Sequence, residues 1–326
     1  MEKKTVQSSS KICIAMYHYV RDLKHSRYPE IRGMDAGLFR EQMLFFREHF
    51  HVVTMEETIR AVRDGEELPE NSVLLTFDDG YVDNYTFVLP ILEEFGMQGS
   101  FFIPGKTFTE HKLLDVNKIH YILASADCER ILADLYNRMN YYRGTEFEYP
   151  SNEELFLEYG KPNRFDPGEV IFIKRMLQTV LPERLRNVIS SELFAMHVGV
   201  SEEQLAYELY MTGDQIRTLK RHGMHIGIHG YDHYWLGRLS PEEMERDISR
   251  ALEALGDLIN PDCWVMNYPY GDATDEVREY VKEKGACLGL STIVGQADIG
   301  QDDPMFLPRF DCNDFPPLSE GYYEYL

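Results

Sequence analysis

Two short segments hold residue types that can do metal and acid–base chemistry. The first, Leu74-Leu75-Thr76-Phe77-Asp78-Asp79-Gly80-Tyr81, is an apolar run ending in two adjacent carboxylates and a glycine. It reads as a buried strand that delivers its acids to a loop. Side chains alternate along a strand, so neighbouring acids diverge unless the chain turns, and Gly80 permits a turn. Two carboxylates at one strand end can divide the work, one holding a metal and the other accepting a proton. The second segment, His229-Gly230-Tyr231-Asp232-His233, follows the apolar stretch Met224-His225-Ile226-Gly227-Ile228. Imidazoles four residues apart converge on one cation when the chain coils into a helical turn. Two histidines and one aspartate suit a zinc-type site that keeps a position open for water.

Each segment also has a plainer reading. Asp-Asp-Gly suits a solvated hairpin turn, and histidines cap helices and fill cores. The two carry weight together, because each falls at the end of an expected strand. A third segment, Met266-Asn267-Tyr268-Pro269-Tyr270-Gly271, follows Trp264-Val265. Its proline removes a backbone donor and its glycine relaxes the chain, so an N–H such as that of Tyr270 can face a reacting oxygen. Alone, this is only a turn. No Gly-rich phosphate loop and no Ser-His-Asp arrangement accompanies these segments.

The elements that must position these residues alternate. Strands are expected at 12–17, 51–54, 73–77, 100–103, 225–228, 264–268 and 286–290, with helices between them. Leu38, Phe39, Met43, Phe46 and Phe50 form one apolar stripe at helical spacing, and Val88, Ile91, Leu92 and Phe95 another. Ser240-Pro241-Glu242-Glu243 is a capping box with proline at the first helical position. A further helix opens near Asp275 and stops at Gly285. Alternation over this length means a parallel α/β fold, and seven strands fit a distorted (β/α)7 barrel. In such barrels the C-terminal strand ends carry the chemistry, and His18, Asp78, Asp79, His229 and Tyr270 all fall there. Strand signals vanish over 108–211 and helical ones replace them, at 116–126, 131–140, 169–180 and 184–197, with a loop at 141–152. This is too long for a barrel connection. It reads as a helical insertion into a barrel made of 1–107 and 212–326, either roofing the site or packed on the barrel's side.

The chain has 326 residues, 44% hydrophobic and 13% aromatic, enough for one large core or a core with an appendage. A net charge of −22 argues against nucleic acid or an anionic membrane as partner, since phosphate binding needs clustered cations. Five cysteines are scattered without Cys-x-x-Cys spacing and mostly adjoin apolar runs, so buried thiols are expected. Residues 1–10 are charged then polar, without an apolar signal core, and no window has the length to span a bilayer. The expectation is a reduced, cytoplasmic protein.

Taken together, the ordered motifs resemble the NodB-like polysaccharide deacetylases, carbohydrate esterase family four, over roughly residues 11–107 and 212–310. Ile14-Ala15-Met16-Tyr17-His18-Tyr19 is similar to the opening of members with a permuted motif order, such as poly-N-acetylglucosamine deacetylases. The resemblance implies a metal-dependent hydrolase removing an N-acyl group, acetyl foremost, from an amino sugar in a polysaccharide or its precursor. It implies Asp78 as general base, Asp79, His229 and His233 as ligands of one divalent ion, Tyr270 as donor of an oxyanion N–H, and His18 as general acid. Zinc is the expected ion, with cobalt, nickel or manganese as alternatives. Two departures stand out: Asn267 lies where the common form has an arginine, and no C-terminal Leu-x-His follows. Arg309 is the candidate to replace the missing guanidinium beside Asp78. Tyr81, Trp235 and Asn267 are candidate substrate contacts, although Tyr81 can equally start the next helix and Trp235 can fill a core. His225 is expected in a supporting role, and His120, His197 and His222 at the surface or in the core. Rival readings are hydrolysis of another C–N bond, as in a non-sugar amide or cyclic ureide, or a non-catalytic carbohydrate-binding relative.

Overall fold

The structure, a computed structural model, describes residues 8–163 and 166–326. Two compact units form, one from Met1–Asp22, Gly33–His111 and Leu209–Leu326, the other from Leu23–Arg32 and Lys112–Glu208. Residues 23–32, which the sequence reading left in the barrel, therefore group with the second unit.

The first unit is built on six parallel strands: β1 (Lys11–Tyr17), β2 (Ser72–Phe77), β3 (Ser100–Ile103), β4 (His225–Ile228), β5 (Trp264–Asn267) and β6 (Ala286–Leu290). They lie side by side in the order β6-β5-β4-β3-β2-β1. His51–Val52 pairs parallel with the start of β2, so all seven expected strands form. β2 is buried at every residue, as a central parallel strand covered on both faces must be, which is why it reads as a continuous apolar run.

One element was not legible in the sequence. Leu307 bridges to Leu290 of β6, and Phe310 and Asp311 pair with Ala15 and Met16 of β1. Residues 307–311 thus join the two outer strands and close the curled sheet into a distorted barrel. Pro308 and Arg309 interrupt the apolar run there, so no strand pattern announced it.

Helices cover the sheet as the apolar stripes required. They include α1 (Ala36–His49), α2 (Met55–Asp64), α3 (Leu89–Phe95), α4 (Pro241–Leu255) and α5 (Asp275–Glu283). Phe39, Met43 and Phe46 are buried on α1. Ser240 and Glu243 form the reciprocal capping box of α4.

The second unit is mainly helical. Asp115–Ser125, Cys128–Tyr142, Asn152–Tyr159, Gly168–Arg175 and Glu183–His197 surround a core that includes Ile119, Ile122, Leu135, Phe172, Leu185 and Leu193. Asn152–Tyr159 is a helix beyond those expected, opened by a Ser151–Glu154 capping box. No helix among the described residues is long and apolar enough to cross a membrane.

The closing segment is held from α1. Gln42, fully buried, donates from Nε2 to the carbonyls of Cys312 (3.0 Å), Phe315 (3.2 Å) and Pro316 (3.0 Å), and its Oε1 accepts from the Tyr17 hydroxyl. Replacing Gln42 by Met keeps the volume but removes the acceptor of the buried Tyr17 hydroxyl and the amide that ties the three carbonyls to α1. Gln42→Met should lower stability by about 1–3 kcal/mol, read as a lower urea midpoint; an unchanged midpoint would mean that the C-terminal segment does not depend on this residue.

Candidate active site

Asp79, His229 and His233 come together at the C-terminal ends of β2 and β4. His229 Nε2 and His233 Nε2 lie 3.4 and 3.2 Å from Asp79 Oδ1 and 3.2 Å from each other, all three residues buried. The chain's own bonding fixes which atoms face inward. His229 donates its Nδ1–H to the carbonyl of Asn267 at 2.7 Å, leaving the Nε2 lone pair for the centre. Burial lowers the pKa of the His233 imidazole despite the adjacent Asp79, favouring its neutral form. Burial alone would raise the Asp79 carboxyl, but the two imidazoles hold it well below the ordinary range. Asp79 Oδ1 has no hydrogen-bond partner, while Oδ2 accepts from the Tyr81 hydroxyl at 2.5 Å. Three electron-pair donors within 4.8 Å of one another, one of them an orphaned buried oxygen, fit a divalent cation.

Asp78 points elsewhere. Arg309, contributed by the closing segment, grips it with both ends of the guanidinium: Nη1 to Oδ1 and Nη2 to Oδ2, each 3.0 Å. Nη1 also donates to Thr76 Oγ1 (3.2 Å), Nη2 to Asn267 Oδ1 (2.9 Å) and Nε to the carbonyl of Ser291 (2.7 Å). Burial raises the Asp78 carboxyl, yet Arg309, with help from His18 and His229, brings it to about 2. His18 follows β1, with Nε2 3.8 Å from Asp78 Oδ2 and a side chain 40% exposed.

The turns that separate these side chains use uncommon backbone. Asp79, His233 and Tyr270 adopt φ of 71°, 60° and 60°, three of the five non-glycine residues with positive φ among those described. Such a conformation costs roughly 1–2 kcal/mol for an L-residue, so the surroundings must impose it. At Asp79-Gly80 two successive left-handed residues swing the adjacent acids apart, and a Cβ on Gly80 would lie 2.9 Å from Ile103. The histidine turn is tied down by Asp247 of α4, which accepts from the N–H groups of Tyr231 (2.9 Å) and Asp232 (2.8 Å). Tyr270 stacks on Trp235, with centroids 4.3 Å apart and planes at 5°, and meets the His233 ring edge-on.

Three sequence expectations change. Tyr81 is fully buried, stacked on Tyr19 and bonded to Asp79; it orients a carboxylate rather than touching a sugar. Asn267 is also fully buried, holding His229 and Arg309. Trp235 has Tyr270 on one side and the Arg238 guanidinium over its ring, so stacking on a sugar is replaced by support of Tyr270. His225 pairs with Glu56 at 3.0 Å, away from the donor triad. Sequence reasoning missed Asp247, though it left a signal: it shares the buried stripe of Met244, Ile248, Ala251 and Leu255, where an aspartate needs a partner. The roles of Thr76 and the Ser291 carbonyl left none.

Removing Arg309 strands a buried carboxylate. Arg309→Met should cost about 3–5 kcal/mol at neutral pH. The sign with pH follows from Asp78. Its folded pKa, about 2, lies below the unfolded ~3.9, so its contribution is complete above about pH 4 and fades as the pH falls toward 2. In the variant burial dominates, the folded pKa rises, and Asp78 destabilises at neutral pH but less so as acid protonates it. Urea midpoints in chelator at pH 7 and 5 should therefore converge for variant and wild type; a constant gap would remove Asp78 from the account.

The chain is similar to several known proteins. The family model described as polysaccharide deacetylase matches residues 65–148 and 189–288. YxkH of Bacillus subtilis, named for the same family, is 17% identical over 90% of this chain and 69% of its own. The poly-beta-1,6-N-acetyl-D-glucosamine N-deacetylase of Escherichia coli K12 is 35% identical over 85 residues, 26% of this chain and 12% of that protein. The fold is similar to the Streptococcus pyogenes deacetylase PplD in complex with acetate, with a TM-score of 0.57 and 17% identity over 96% of each chain. With more than half of its residues matched by the family model and its seven expected strands in place around the two motifs, the chain belongs to the polysaccharide deacetylase family.

Proposed function

We propose that the protein is a metal-dependent hydrolase that removes the acetyl group from the nitrogen of an amino sugar, in a polysaccharide or its precursor. The observation that carries this reading is the orphaned Asp79 Oδ1 converging with two imidazole nitrogens, one residue from an Arg309-bound carboxylate. Asp79, His229 and His233 would hold a divalent ion, zinc first, which supplies Lewis-acid polarisation and acidifies water toward a pKa of ~7. Arg309 keeps Asp78 ionised and fixes its plane, so an acceptor stands ready for the proton of the attacking water. The N–H of Tyr270, presented on its left-handed turn, is assigned to the acyl oxygen as negative charge grows there. His18, partly exposed beside Asp78, is assigned the proton that the departing amine requires. The partial match to the Escherichia coli protein supports β-1,6-linked N-acetylglucosamine oligomers as the first substrate to assay.

Protein purified without chelator should contain stoichiometric divalent metal by elemental analysis and release acetate from such oligomers. His229→Ala and His233→Ala should lose the metal; if both keep it in full, the ion sits elsewhere. Asp78→Asn should keep the metal and slow acetate release by roughly 100–10,000-fold. A loss of only a few-fold would refute the role given to Asp78.

His18→Ala separates acid catalysis from structure. An amine needs a proton to depart and an activated phenolate does not. The variant should therefore lose far more activity on the amide than on an acetyl ester of that kind, with metal content and melting temperature unchanged. Equal losses on both substrates would return His18 to a structural role.

A further inference from the structure

Five cysteines scattered along the sequence gave no hint of pairing, but the fold brings two together. Cys263 directly precedes β5, and Cys287 is the second residue of β6. The register between these strands shifts at this point: Trp264 faces Ala286 and Val265 faces Leu288, so Cys287 is the extra residue of a bulge. A bulge re-aims the side chain it carries. Here it sets Cys287 Sγ 2.8 Å from Cys263 Sγ, inside ordinary van der Waals contact for two sulfurs. Both residues are half-buried, open enough for a small reagent, whereas Cys13 and Cys312 are buried. Arg63 at the end of α2 has Nη1 3.5 Å from Cys263 Sγ, a guanidinium donor beside the first of the two sulfurs.

We propose that Cys263 and Cys287 form a thiol–disulfide site that closes in the presence of a disulfide oxidant such as glutathione disulfide and staples β5 to β6. The Cys263 thiolate attacks one glutathione sulfur, forming a mixed disulfide and expelling glutathione thiolate. Cys287 Sγ then attacks the Cys263 sulfur, forming the protein disulfide and expelling the second glutathione. The two thiol protons end on the two glutathiones; the protein pair loses two electrons and the oxidant gains them. The bond crosses the N-terminal ends of the strands, whereas Asn267 lies four residues along β5, about 13 Å at ~3.3 Å per residue. Its effect falls on stability, through the loop it closes in the unfolded chain, rather than on the site at the other end.

The test uses the full chain, incubated with glutathione disulfide or with dithiothreitol, then alkylated, peptide-mapped and melted. Oxidised protein should yield a cross-linked peptide pair containing Cys263 and Cys287, and should melt several degrees above the reduced form. Cys263→Ser and Cys287→Ser should form no cross-link and show no such gain, and Cys263→Ala and Cys287→Ala serve if the serine variants fold poorly. The proposal is overturned if both thiols remain alkylatable, if the cross-link joins other cysteines, or if the single variants gain as much as wild type. These readouts do not depend on acetate release, so they stand or fall apart from the proposed activity.

Discussion

The five N–H groups of one buried guanidinium hold the candidate site in register. Arg309 bonds both oxygens of Asp78, the hydroxyl of Thr76, the side chain of Asn267 and the carbonyl of Ser291, leaving no donor unused. These partners stand on or just past β2, β5 and β6, and the arginine itself comes from the segment that closes the barrel. An arginine with this set of bonds cannot shift without breaking several at once. A lysine, with a single rotating ammonium, could not match the planar pair on Asp78. The consequence reaches the neighbouring residue: with Asp78 committed to Arg309, Asp79 is left to face the two histidines.

Adjacent carboxylates with separate surroundings require the chain to reverse within one residue, and the left-handed pair Asp79-Gly80 provides that reversal. The same device recurs at Tyr270-Gly271, and His233 adopts it singly. Each strained residue is held by bonds or packing on the side away from the centre. Tyr81 binds Asp79, Tyr270 rests on Trp235, and Asp247 takes two N–H groups of the histidine turn. Beyond that turn, Lys106 and Arg250 pair with Asp232, and Arg250 also bonds Glu110. The geometry of the site is therefore set largely by residues that stand behind the three donors, Tyr81 and Asp247 among them fully or nearly fully buried.

What the sequence made legible divides along this line. Strands buried on both faces are apolar runs, and helices facing a sheet are stripes, so the barrel elements could be read locally. The motif residues could also be read, because their side chains sit close together in sequence at strand ends. The conformation that makes them work could not: positive φ at Asp79, His233 and Tyr270 is imposed by contacts from distant elements, and none of the three is a glycine. Tyr81, Asn267 and Trp235 have the residue types of sugar contacts, but their position is a matter of burial. Tyr81 is turned to Asp79 because Tyr19, from just past the end of β1, covers its ring, and Trp235 supports Tyr270 with the guanidinium of Arg238, from the adjoining turn, over its own ring.

Arg309 shows why the barrel has to close for the site to exist. The residue that fixes Asp78 lies 231 positions away in sequence, on a segment too short and too interrupted to be a strand by pattern. Its placement depends on Leu307 bridging β6 and Phe310 pairing with β1, and those pairings depend in turn on the C-terminal residues that Gln42 holds against α1. A buried ion pair of this kind is poor evidence of stability, since desolvation of both charges offsets much of their attraction. Its physical value is orientation. The protein spends a part of its stability to keep one carboxylate ionised, planar and fixed beside a donor triad it does not join, and a loosely closed barrel could not hold that arrangement.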